Sequence, residues 1–172
     1  MSAAFPSPDH DHAGCTASVL AHAETLCKER QERLTPMRRQ VLAVLASSHK
    51  PLGAYEILEL VAPDGPRPAP ITVYRALDFL IAQGLVHRIE SRNAFLACSH
   101  GHASGALVAF LICEHCGAVG EAPSTAIADA IKASAAQQGF TPKISVIEVT
   151  GVCAHCAAAA AATPAADAAA DA

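Results

Sequence analysis

Apolar positions along the first hundred residues recur at helical spacing and then give way to short extended runs. Leu20, Ala23 and Cys27 share one face of a helix over residues 16–31. Val41, Leu42 and Leu45 do the same in a second helix, whose start carries Thr35 as N-cap and Pro36 at the first helical position. After the break at Lys50-Pro51-Leu52-Gly53, the residues Ile57, Leu58 and Val61 predict a short third helix, closed by the proline-rich stretch 63–70. In a fourth, over 71–83, Val73, Leu77, Leu80 and Ile81 repeat at i, i+4, i+7 and i+8 and should face the core, with Gly84 ending the helix. Leu85–Ile89 and Ala94–Ala97 then read as two strands joined by the polar turn Glu90-Ser91-Arg92-Asn93. Helices followed by a β-hairpin are the order of a winged helix-turn-helix.

The pattern changes in the second half. An apolar run, Ala106–Ile112, and a short return strand, Ala118–Glu121, precede a helix over 124–138 with Ser124 as N-cap and Ile127 and Ile131 on one face. A strand over 143–150 follows. The chain is therefore expected to be α+β: a disordered tail over 1–15, a winged-helix domain over 16–97, a hinge at about 92–104, a small α/β domain over 105–156 and an alanine-rich low-complexity tail over 157–172. One helix covers only one face of a small sheet. The bare face and strand edge invite a second copy, and a two-fold dimer is the commonest solution.

With 52% hydrophobic and 16% charged residues the chain can bury a core, but five Phe, two Tyr and no Trp make that core aliphatic. Residues 1–27 contain no Lys or Arg and no apolar block of signal-peptide type, and no run is long and apolar enough to span a membrane. A cytoplasmic protein with reduced thiols is expected. The net charge of −4 argues against nucleic acid until its distribution is considered. Residues 16–92 hold ten Lys/Arg against eight Asp/Glu, whereas residues 93–172 hold two against six. That asymmetry permits a DNA-binding module joined to one of another kind.

Cysteine spacing is more specific. Cys113-x-x-Cys116 and Cys153-x-x-Cys156 are two matched pairs separated by 36 residues. Each Cys-x-x-Cys turn offers two thiolates to one ion, and two turns fill a tetrahedral zinc shell with no place for water or substrate. Such a site builds structure and does not catalyse. Disulfides are disfavoured in a reducing compartment, and a thioredoxin-like motif needs one pair in a βα setting, not two. No nucleophile pairs visibly with a base, so an enzyme is not expected.

In a helix-turn-helix, the helix before the hairpin enters the major groove. With the apolar stripe of helix 71–83 inward, Arg75 and Asp78 point outward, with Thr72 and Tyr74 on the flanks near the N-terminal end. Arg75 has the two donors that read guanine O6 and N7, and Tyr74 can cover a thymine methyl. A solvated face with one arginine would look the same at this level.

Taken in order, RLTPMRRQVL (33–42), AYEIL (54–58), TVYRALDFLIAQGLVHRIES (72–91), FLICEHCGAVGE (110–121) and GVCAHC (151–156) resemble the ferric-uptake-regulator family of metal-dependent repressors. TVYRALDFL and VHRIES are most similar to its zinc-uptake branch. The resemblance implies a DNA-binding winged helix, dimerisation through the α/β domain, and Tyr55 as a further DNA contact. By pattern alone Tyr55 passes for a half-buried helix residue. The resemblance also implies a second, regulatory zinc, making two zincs per chain, held by His87, Cys98, a loop histidine and Glu121. The family pattern places the loop histidine at what is here Ala106; His102 is the preferred substitute and His100 the alternative. One thiolate, imidazoles and a carboxylate suit tetrahedral zinc better than ferrous iron. The expected function is a zinc-responsive repressor of zinc-uptake genes that binds an inverted-repeat operator in double-stranded DNA as a homodimer. A thiol-based redox sensor, an iron or manganese sensor, or a zinc-ribbon adaptor are the other readings.

Overall fold

A computed structural model describes residues 5, 12–63, 65–98 and 107–162. Four helices come first: α1 His12–Glu29, α2 Pro36–Ala46, α3 Ala54–Val61 and α4 Pro70–Ala82. The hairpin β1 Val86–Ile89 and β2 Ala94–Ala97 follows, turning through a 3-10 segment, Glu90–Arg92, and through Asn93 in the left-handed region at φ 46°. Leu52 adds a bridge to the hairpin by exchanging both backbone hydrogen bonds with Phe95, at 2.8 and 2.9 Å. The second half contains β3 Val108–Cys113, β4 Val119–Pro123, α5 Thr125–Gln137, β5 Ile147–Gly151 and α6 Ala154–Ala162. Its sheet has the order β4-β3-β5, antiparallel on one side of β3 and parallel on the other.

Local chemistry explains the helix boundaries. Thr35 caps α2 by accepting the Arg38 N–H, Ser124 caps α5 by accepting the Ile127 N–H, and the Glu56 carboxylate accepts the Gly53 N–H at 2.7 Å before α3. Chain reversal after α4 uses Gly84 at φ 73°, a conformation costly for a residue with a Cβ. The first core gathers Leu42, Leu45, Ile57, Leu77 and Leu80, all essentially inaccessible. Each such side chain contributes roughly 1.5–3 kcal/mol by burial. A second, smaller core spans the two halves: Ile89 and Leu96 of the hairpin pack with Val108, Phe110, Ile112 and Val119 of the sheet.

Several elements differ from the pattern reading. Helix α1 starts at His12, four residues early, so part of the stretch expected to be disordered is helical. Thr16 Oγ1 is hydrogen-bonded to the carbonyls of His12 (2.9 Å) and Ala46 (3.2 Å), and the His12 ring lies 5.2 Å from that of His49. These contacts to the end of α2 extend the helix beyond what periodicity supports. Ile81, expected in the core, is 37% exposed, and Ala76 is buried in its place. The inward stripe is Val73, Ala76, Leu77 and Leu80, and Ile81 lies at its edge, lining a cleft of about 500 Å³ with Val108, Phe110 and Ile131. Strand β5 begins at Ile147, not 143, since its partner among the described residues, β3, pairs with it over Ala109–Cys113. Tyr55 is 70% exposed, not half-buried. Residues 163–172 of the alanine-rich tail lie outside the described residues, while 157–162 continue α6.

Candidate metal centres and DNA-facing surface

Parallel pairing of β3 with β5 sets Cys113 beside Gly151, so the C-terminal ends of two strands distant in sequence emerge together. Gly117, at φ 76°, turns the chain after Cys116, and the Gly117 N–H is bonded to the Cys113 carbonyl at 3.0 Å. Cys153 and Cys156 stand at the start of α6, where the Cys153 N–H donates to Cys113 Sγ at 3.4 Å and the Cys156 N–H to Cys153 Sγ at 3.5 Å. The four sulfurs lie within 4.8 Å of one another. Cys116 and Cys153 are 3.9 Å apart, far beyond a disulfide bond. Tetrahedral Zn–S bonds of about 2.3 Å require sulfurs about 3.8 Å apart, which the Cys116–Cys153 separation matches.

Two of the thiols differ widely in acidity. Amide donors of Cys116 and Cys153 lower the Cys113 thiol to about 6. At the other extreme Cys156, bonded to the neighbouring thiols with Cys153 foremost, is pushed up to about 12. A cation bound here would displace the proton from Cys156, so metal binding would be proton-coupled. His115 and His155, inside the two turns, are exposed, and Cys27 is buried in the helical core, where burial raises its thiol.

A second group assembles from three elements. His87 is on β1, Cys98 follows β2, and Glu121 is on β4; one donor atom from each lies within 4.8 Å of the others. Cys98 Sγ is 3.8 Å from Glu121 Oε2, and His87 Nε2 is 4.0 Å from Glu121 Oε1. The Cys98 backbone is fixed independently of its side chain, its N–H donating to the Leu85 carbonyl at 2.9 Å. Glu121 is only 5% exposed, the one buried charged residue among those described. A carboxylate removed from water needs a cation or strong donors. Separations slightly longer than the edges of a tetrahedral N, O, S shell leave room for an ion to draw the three inward. His100, His102 and Ala106 lie outside the described residues.

On α4, Arg75 and Asp78 are exposed, Tyr74 is 41% exposed and Thr72 half-buried, so three of the four residues present outward together. Tyr55 is exposed on α3, the preceding helix. Pattern reasoning passed over three contacts between the halves. Glu148 of β5 accepts the N–H groups of Glu90 (2.6 Å) and Ser91 (3.1 Å) at the hairpin tip. The Phe110 ring sits 5.1 Å from that of His87. The Val119 N–H donates to the His49 carbonyl at 3.0 Å. The available signal was a lone acidic residue, Glu148, among the apolar residues Ile147 and Val149.

The profile of the ferric uptake regulator family matches residues 29–150. The zinc uptake regulation protein of Escherichia coli K12 is 40% identical over 141 residues, covering 82% of each chain. Among solved structures, a zinc uptake regulator complexed with zinc and DNA superposes with a TM-score of 0.80 at 40% identity, covering 85% of this chain and 97% of that one. Holo XcZur superposes at 0.76 with 45% identity, covering 82% and 98%.

Proposed function

The chain belongs to the ferric uptake regulator family, and we propose that it is the zinc-responsive member of its cell, a cytoplasmic repressor that binds operator DNA as a zinc-loaded homodimer. The observation that carries this reading is the gathering of His87, Cys98 and Glu121 from hairpin, hinge and sheet into one buried cluster. The 40% identity to zinc uptake regulators, one of them solved with zinc and DNA, supports it.

Two zincs per chain are assigned. Cys113, Cys116, Cys153 and Cys156 would hold the structural ion. His87, Cys98, Glu121 and a histidine from 100 or 102 would hold the regulatory one, which when bound supplies a cation that cross-links the two halves. The residues do the rest. His87 carries the hairpin, Cys98 the hinge and Glu121 the sheet, so holding all three at one point removes much of the freedom between the halves. A DNA-binding dimer must set its two reading helices about 34 Å apart to enter successive major grooves. Chains whose halves swivel bind DNA less well in proportion to the misaligned fraction. Thr72, Tyr74 and Arg75 on α4, with Tyr55, would make the DNA contacts.

Dimerisation is assigned to the second half, where Ile127, Phe140, Ile144, Val146, Val149 and Val152 are all exposed in the single chain. That concentration of bare apolar side chains is the kind that a partner subunit covers. No helix among the described residues is long and apolar enough to cross a membrane. Titrating an inverted-repeat operator with the protein under buffered free zinc, iron and manganese tests the assignment. Zinc should promote binding at the lowest free concentration, and equal or stronger promotion by iron or manganese would overturn the zinc reading.

A further inference from the structure

We infer that Glu148 is a positioning residue: a metal-independent latch that fixes the direction of the hairpin against the second half, alongside the cluster of His87, Cys98 and Glu121. The inference rests on the zinc-responsive reading for its consequence at DNA, but not for the latch itself. Both carboxylate oxygens are engaged, one by the Glu90 N–H at 2.6 Å and the other by the Ser91 N–H at 3.1 Å, from residues 57 and 58 positions away in sequence. Charge-assisted bonds of this kind are about twice as strong as neutral ones. Although burial opposes ionisation, the Ser91 hydroxyl, the two amides and the Arg92 guanidinium outweigh it and hold the Glu148 carboxyl below the usual carboxylate range.

Sheet register explains why the latch and the metal cluster act on one object. Phe110 of β3 pairs with Glu121 of β4 on one side and with Glu148 of β5 on the other. Residues paired across a sheet project from the same face, so Glu121, Phe110 and Glu148 form one row directed at the hairpin. Glu121 meets His87, the Phe110 ring lies tilted 5.1 Å from the His87 ring, and Glu148 meets the tip at Glu90 and Ser91. His87 and Glu90 are about 10 Å apart along an extended chain. Ile89 and Leu96 already pack the hairpin against the sheet, but apolar contacts carry no direction; the bonds at Glu90 and Ser91 add a directional hold at its tip, and α4 leads into that strand.

The test uses the full-length chain with Glu148→Ala and Glu148→Gln, the latter keeping one acceptor oxygen but no charge. Amide hydrogen exchange at Glu90 and Ser91 is measured in the zinc-loaded protein, together with operator affinity at saturating zinc, sedimentation and zinc content. In Glu148→Ala, exchange at these two amides should accelerate and operator affinity fall, each by about tenfold or more, with the dimer and both zincs retained. Glu148→Gln should fall between Glu148→Ala and the unmodified chain. Unchanged exchange at both amides overturns the latch. Faster exchange with unchanged operator affinity overturns the positioning role, and loss of the dimer in both variants would make Glu148 a folding residue instead. Should the unmodified chain show no zinc-dependent DNA binding, the functional reading fails, while exchange at Glu90 and Ser91 still decides the latch.

Discussion

Replacing Cys98 by serine removes one sulfur from the cluster proposed to hold the regulatory ion and disturbs little else. The position is 6% exposed, and the backbone there is held by the Cys98 N–H to the Leu85 carbonyl, which serine preserves. The contact given up is a long one, the sulfur lying 3.8 Å from Glu121 Oε2, so little fold stability should be lost. Metal affinity is another matter, since a neutral hydroxyl is a poor substitute for a thiolate on zinc. Loss of a supporting contact behind a metal ligand costs about 10–100-fold in affinity. Loss of a ligand itself should therefore cost at least about 100-fold, or ~2.7 kcal/mol. Linkage carries the same factor into DNA binding: the free-zinc midpoint for operator association should rise by about two decades. Fluorescence anisotropy of a labelled inverted repeat across buffered zinc measures the midpoint, and elemental analysis should fall toward one zinc per chain. A folded Cys98→Ser dimer that keeps two zincs and the unmodified midpoint would refute the reasoning and make Cys98 an ordinary packed thiol.

Other perturbations address separate parts of the molecule. Cys113→Ser should unfold the second half and dissociate the dimer, because structural zinc contributes on the order of 10 kcal/mol to small zinc domains; sedimentation and zinc content read the result, and a dimer with full zinc would contradict it. Arg75→Ala should weaken operator binding by about 1–3 kcal/mol and relax preference at one position per half-site, whereas an arginine touching only phosphate would weaken all sequences alike and reduce the salt slope. Thr35→Ala removes the α2 cap; because the Thr35 Oγ1 to Arg38 N separation is a long 3.5 Å, the loss should sit near the low end of cap values, about 0.5 kcal/mol by denaturant unfolding.

Much of the local structure was legible because its causes are local. Thr35-Pro36 and Ser124 mark helix starts by supplying an acceptor, or by lacking a donor, where the first turn needs it. The hairpin strands read correctly because two short runs with apolar residues flank the polar turn Glu90-Ser91-Arg92-Asn93. Where the reading failed, a distant contact had decided. Helix α1 extends to His12 through bonds to Ala46 and a ring contact with His49, and Ile81 is exposed because a cleft, not a core, lies beside that edge of α4. Tyr55 lies outside the core because α3 buries only Ile57 completely.

The candidate sites divide in the same way. Two Cys-x-x-Cys turns declare their chemistry in sequence, since each turn is a short-range device and four thiolates have few other uses in a reducing environment. Side-chain type alone likewise marked Arg75 and Tyr74 as groups able to read base edges. The meeting of the two turns was decided by tertiary structure, through the parallel pairing that sets Cys113 beside Gly151. So was the gathering of His87, Cys98 and Glu121, which no spacing rule relates, and the row of Glu121, Phe110 and Glu148 that faces the hairpin. A linear pattern records which face a residue occupies on its own element. How the hairpin lies on the sheet is tied to the joint burial of Ile89, Leu96, Phe110 and Val119, and tertiary packing of that kind turns separated donors into a site.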